Sequence, residues 1–113
     1  MSLEEYLSTG PPHERLVVDA VLAHLETIGP VYIEPVSVGI LLKHQRSFGE
    51  LRPMVRWEAL SFGLPRRIES DRIARRMPSK GPTTWHVVNL RTPEEFDDDV
   101  RGWLTEAYLA AAG

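Results

Sequence analysis

The chain contains no cysteine. That excludes disulfides, thiolate zinc sites and thiol nucleophiles, and it fits a reducing compartment. No stretch approaches the run of about 20 apolar residues that a membrane-crossing helix needs. The first residues carry Glu4 and Glu5 in place of a basic segment followed by an apolar one, so no secretory leader is expected. A cytoplasmic location follows as the expectation. Also missing are the Walker-type phosphate loop, the dinucleotide-binding glycine fingerprint, the His-Glu-x-x-His zinc helix and the Gly-x-Ser-x-Gly nucleophile elbow. Those absences disfavour a common nucleotide-dependent enzyme, metalloprotease or hydrolase. No cofactor and no metal is expected. The four histidines, His13, His24, His44 and His86, are scattered, and the run Asp97 to Asp99 points three ways on a helix and suits its positive end.

What is present reads as one domain over 1–113, a length that fits a single core. Ser2-Leu3-Glu4-Glu5 has capping-box spacing and predicts a short helix over Leu3–Leu7. A second helix is predicted from about Pro12 to Ile28, with Val17, Val21, Leu25 and Ile28 as its buried stripe and Gly29-Pro30 as its stop. The period then changes. Strands are predicted at Val31–Glu34, Val38–His44, Phe48–Leu51, Met54–Leu64 and Thr83–Leu90. Within Met54–Leu64 the apolar residues change parity, which predicts a bulge near Glu58-Ala59. Ser70–Arg76 predicts one or two helical turns within a long connection. In the last strand His86, Val88 and Leu90 are assigned inward. Thr92-Pro93-Glu94-Glu95 then opens a long amphipathic helix predicted from Pro93.

The order α-α-β-β-β-β-β-α gives an α+β fold: a single antiparallel β-sheet of about five strands with helices packed on one face.

Net charge is −3, which argues against a globally basic nucleic-acid binder, but the charge is unevenly spread. Residues 43–80 hold ten Lys/Arg, eight of them Arg, against four acids. One reading is internal complementarity, the basic middle lying against acidic ends. The other is an Arg-rich surface that receives anions, because guanidinium groups grip phosphate and carboxylate bidentately. Lys43, Arg46, Arg66, Arg67, Arg75 and Arg76, with His86 on the neighbouring wall, are the candidate binding residues. Trp57 and Trp85 are expected in the core; on the open sheet face they would supply stacking instead.

Three functional classes follow. The first is a non-catalytic binding or interaction module for an anionic small molecule, nucleic acid or acidic protein surface. The second is a homodimer meeting through Leu41, Leu51 and Val87 on the uncovered face. The third, the least favoured, is an enzyme using His44, His86 and Arg residues there.

Several segments also resemble a known family. They are Pro12-His13 through Gly29-Pro30-Val31, the basic strand pair around Lys43–Phe48, the junction Leu90-Arg91-Thr92-Pro93-Glu94-Glu95-Phe96-Asp97, and the closing Glu106-Ala107-Tyr108. The pattern is similar to a small uncharacterised bacterial α/β domain family, catalogued as a domain of unknown function and sometimes labelled a predicted transport protein. The resemblance implies an α/β domain, alone or fused to others. It implies no catalytic residues, and the transport label has no counterpart in a membrane segment or nucleotide-binding loop here.

Overall fold

A computed structural model describes residues 2–79 and 81–112. Ser2 caps α1 (Leu3–Thr9) by accepting from the Glu5 N–H at 3.1 Å, as its spacing predicts. The second helix, α2, begins later than its apolar pattern suggests, spanning Arg15–Ile28. Pro11 to Glu14 stay outside it because the Glu14 N–H and the His13 ring are both committed to Glu58. Val17, Val18, Val21 and Leu25 form its buried face.

Six strands follow: β1 (Tyr32–Val36), β2 (Gly39–Lys43), β3 (Ser47–Pro53), β4 (Glu58–Leu64), β5 (Arg75–Pro78) and β6 (Thr84–Leu90). They form one antiparallel sheet in the order β1-β2-β3-β4-β6-β5. The sixth strand, β5, takes up the end of Ser70–Arg76, where one or two helical turns are expected, and runs on to Pro78. Ser70 turns the chain, its hydroxyl accepting from the Arg72 N–H and its carbonyl from the Ile73 N–H. The chain then extends along the open edge of β6, where the backbone gains a partner that a lone helical turn would lack.

The irregularity lies at Leu42/Lys43, not at Glu58-Ala59. Met54 to Trp57 leave the ladder as a turn, closed by the Met54 N–H on the Trp57 carbonyl. The strand proper therefore starts at Glu58. From there Glu58, Leu60, Phe62 and Leu64 are all buried on one parity. The junction after β6 also differs from its reading. Pro93–Glu95 form a single 3-10 turn, Phe96 turns into the core, and α3 (Asp98–Ala110) starts afresh with Asp97 accepting from the Val100 N–H.

Helices α2 and α3 cover one face of the sheet. Ile40, Leu42, Leu51, Leu60, Phe62, Val88 and Leu90 meet Val21, Leu25, Val100 and Leu104 in a single core cluster. Leu51 thus belongs to the core: it sits opposite Ile40 in the β2–β3 register, which removes it from the uncovered face assigned to it above. His86, Val88 and Leu90 face inward as expected. No helix among the described residues is long and apolar enough to cross a membrane.

Candidate functional site

The face of the sheet away from the helices carries a hollow. Its floor is β4, whose outward residues are small: Ala59, Ser61 and Gly63. Cross-strand register sets the walls. Arg52, Ala59 and Asn89 form one row; Glu50, Ser61, Val87 and Arg75 form the next; Gly63, Trp85 and Met77 form the third. The Met54–Trp57 turn closes one end. The result is a groove of about 620 Å³, lined at its flanks by Leu41, Met54, Met77 and both Trp57 and Trp85.

Each wall has a local cause. A Cβ on Gly63 would come within 3.1 Å of the Trp85 ring, so the bare backbone of β4 lets the indole lie across it. Trp57 is held from behind by Arg91, whose guanidinium lies 5.2 Å from the ring centroid. Its indole Nε1 is buried and finds no hydrogen-bond partner among the described residues. The groove's charged residues are Arg52, Arg75 and Glu50, and Glu50 is engaged by Arg52 at 3.5 Å. Arg75 has no carboxylate partner among the described residues and reaches only the Met77 sulfur. Both tryptophans therefore lie at this open surface, not in the core. Large apolar side chains are ordinarily read as core, and only the pleat reveals otherwise: Trp85 has the opposite parity to the buried His86.

The basic residues singled out in the sequence do not gather here. Lys43 pairs with Glu34 at 3.0 Å and Arg67 with Glu69 at 2.7 Å. Arg66 grips Glu106 with two bonds of 2.8 Å, which hold the Glu106 carboxyl below its ordinary range. Arg76 donates to the Ile68 carbonyl, and Arg46 donates to the Ala110 carbonyl at the end of α3. Arg72 joins Asp97 at 2.6 Å. Lys80, the tenth basic residue of that segment, lies outside the described residues. Pairs such as Lys43–Glu34, Arg66–Glu106 and Arg72–Asp97 tie the basic middle to acids before and after it, as the complementarity reading anticipates. Of the candidate cations, Arg75 alone lines the groove.

His86 is wholly buried on the core face, stacked against Phe62. Its Nε2 accepts from the Ile68 N–H at 3.0 Å, which places the proton on Nδ1. Burial lowers its pKa, with the Arg76 charge acting the same way, so the ring is neutral in the fold. An unfolded histidine titrates near 6.5, so the contribution of neutral His86 is complete above that pH and is lost as pH falls below it. His24, also lowered by burial, has the same sign, whereas Glu58, raised by burial, has the opposite one. Stability should therefore be compared between wild type and His86→Gln, which still offers an oxygen to the Ile68 N–H. Urea melts from pH 7 to pH 5 are expected to show a smaller acid loss in the variant; parallel curves would remove His86 as the cause.

A second polar constellation escaped sequence reading. The Tyr6 hydroxyl lies 2.7 Å from His13 Nε2, and His13 Nδ1 lies 2.7 Å from Glu58 Oε2. The Glu14 N–H donates to the other Glu58 oxygen at 3.0 Å. Tyrosine donating to Nε2 and Nδ1–H donating to the carboxylate satisfies every atom. The side chains of His13 and Glu58 have no solvent exposure, so the chain of bonds clamps α1 and the Pro11–Glu14 segment to β4. The available signal was Glu58 itself, an acid on the inward parity of a strand, which must find a partner. Burial pushes the Glu58 carboxyl up, and burial together with Glu58 pushes the Tyr6 hydroxyl up.

His44 stacks on Tyr108 with ring centroids 4.0 Å apart, and His24 bonds Thr105. The four histidines thus have separate partners, and no cluster of three metal-ligating side chains occurs among the described residues.

Residues 3–111 match the family model of a domain of unknown function, DUF5655. No curated protein and no solved structure matches the chain. Since the match spans everything from the first helix to the end of the last, the chain belongs to the DUF5655 family.

Proposed function

We propose that this protein is a non-catalytic binding module, and that its site is the groove on the open sheet face. The ligand is an anion with a flat, apolar body. The observation that carries this reading is the pairing of two indoles with an uncommitted guanidinium: Trp57 and Trp85 line a groove floored by Ala59 and Ser61, and Arg75 stands on its wall. Flat rings stack on indoles, and guanidinium binds carboxylate or phosphate in a planar fork. Of the other candidate cations, Lys43, Arg66 and Arg67 are engaged with carboxylates, and Arg46 and Arg76 donate to carbonyls. A soluble cytoplasmic setting suits such a module.

Anilinonaphthalene sulfonate, a fused aromatic with one negative charge, is a direct probe. Saturable binding at one site per chain is expected, with quenching of tryptophan emission. Trp85→Ala is expected to weaken it about tenfold or more, the scale of one lost stacking contact. Arg75→Ala is expected to weaken it less and to flatten its salt dependence. Equal affinity in wild type and both variants would overturn the assignment.

Self-association is the alternative, favoured by the turn at the groove's end, where Val55 is 93% and Met54 43% exposed. Leu41 and Val87 would join that contact from the groove wall. Sedimentation equilibrium showing a dimer that the probe dissociates would replace the ligand reading with this one.

A further inference from the structure

A second hollow, of about 580 Å³, opens at the far end of the sheet. It lies between the start of β3, the residues flanking β5 and β6, and the last turn of α3, with Arg46, Pro65, Thr83 and Ala110 on its rim. It shares Ser47 and Trp85 with the groove. One indole thus borders both hollows, which adjoin at Ser47 and Trp85 and together mark a track from Trp57 to Arg46. From Glu58, the first strand residue after Trp57, to Gly63 beside Trp85 the strand advances five residues, or about 17 Å.

Resting on the reading of the groove as an anion site, we propose that this track holds a short segment of single-stranded nucleic acid. Bases stack on Trp57 and Trp85, and successive phosphates meet Arg75 and Arg46. Two indoles set well apart along one path suit a polymer that presents a flat ring at each unit, which an acidic peptide does not. The cations along the path are all Arg, and Arg46 carries no carboxylate partner among the described residues. The one acid, Glu50, is already met by Arg52. Stacking on both indoles needs bases free of a pairing strand, which a duplex does not offer. The length fits about four nucleotides, the low end of what a small sheet domain covers.

The test is fluorescence anisotropy with labelled octathymidylate at low salt, with thymidine monophosphate, a duplex of equal length and polyglutamate as competitors. The octamer is expected to bind at least tenfold more tightly than the monophosphate, and the duplex and polyglutamate to compete poorly. Arg46→Ala is expected to reduce the slope of log affinity against log salt by about 0.7, the value of one phosphate contact on a single strand. Trp85→Ala is expected to abolish most of the octamer's advantage, and Trp85→Phe to restore part of it. Arg15→Ala, on the helical side, is the control and leaves binding unchanged. An octamer no tighter than the monophosphate, or an Arg46→Ala slope equal to wild type, overturns the track. Displacement by polyglutamate as effective as by unlabelled octamer overturns it in favour of an acidic peptide. Retained anilinonaphthalene sulfonate binding with no octamer binding removes the track and leaves the groove; loss of both removes both.

Discussion

Glu58→Ala is expected to cost about 2–5 kcal/mol, the scale of leaving two buried hydrogen-bond donors without their acceptor. The side chains of Glu58 and His13 have no solvent exposure, and Glu58 also receives the Glu14 N–H. Its loss leaves His13 Nδ1 and that N–H without acceptors inside the fold, and each unsatisfied group carries its full desolvation cost. A domain of this size is held by only about 5–15 kcal/mol in total, so much of the chain's stability rests on one side chain. Glu58→Gln keeps an oxygen for the Glu14 N–H and should cost roughly half as much. Equilibrium urea unfolding measures both. An alanine variant within 1 kcal/mol of wild type would mean that the pair is hydrated and the clamp is not as described.

Gly29→Ala is the second large effect, expected at about 2–4 kcal/mol from backbone strain and overpacking together. Gly29 ends α2 with φ of +148°, a conformation that side-chain-bearing residues rarely adopt. An added Cβ would also collide with the Tyr108 hydroxyl. That hydroxyl donates to the Pro30 carbonyl at 3.0 Å, and the Tyr108 ring stacks on His44 and meets the edge of Phe48. The turn after α2 is thus seated on the last turns of α3. Thermal melts of Gly29→Ala and of the double variant with Tyr108→Phe separate the two causes. The double variant regains what the collision costs, less the hydroxyl's bond to Pro30, and keeps what the dihedral costs. A single variant that melts like wild type would show that the turn relaxes freely.

How much of this could be read in advance depended on the range of the interaction. The Ser2 cap, the α2 stripe and the inward set His86, Val88 and Leu90 are local patterns, and they appear as the spacing implies. The order of helices and strands followed from them, as did antiparallel pairing through short connections. Three features were set by partners distant in sequence. Arg75–Pro78 became a strand because β6 had a free edge, whereas Ser70–Arg76 alone reads as a helical turn. The start of α2 was displaced by Glu58, 44 residues away from Glu14. The groove depends on register among four strands, which brings Arg52, Ser61, Trp85 and Arg75 to one face. The abundance of Arg in residues 43–80 was visible, but composition does not distinguish a guanidinium already matched to Glu106 from one left facing a hollow. That distinction between Arg66 and Arg75 is purely three-dimensional.

The floor of Ala59, Ser61 and Gly63 has an evolutionary implication. Central strands favour β-branched and aromatic residues, and glycine weakens a strand interior. A chain under selection for durability alone would gain by replacing Ala59 and Ser61 with valine or threonine, since such filling substitutions commonly add stability. Each would also raise the floor beneath whatever lies there. The hollow is therefore a standing concession of stability, and laboratory selection for thermal resistance without selection for binding should close it first at these positions.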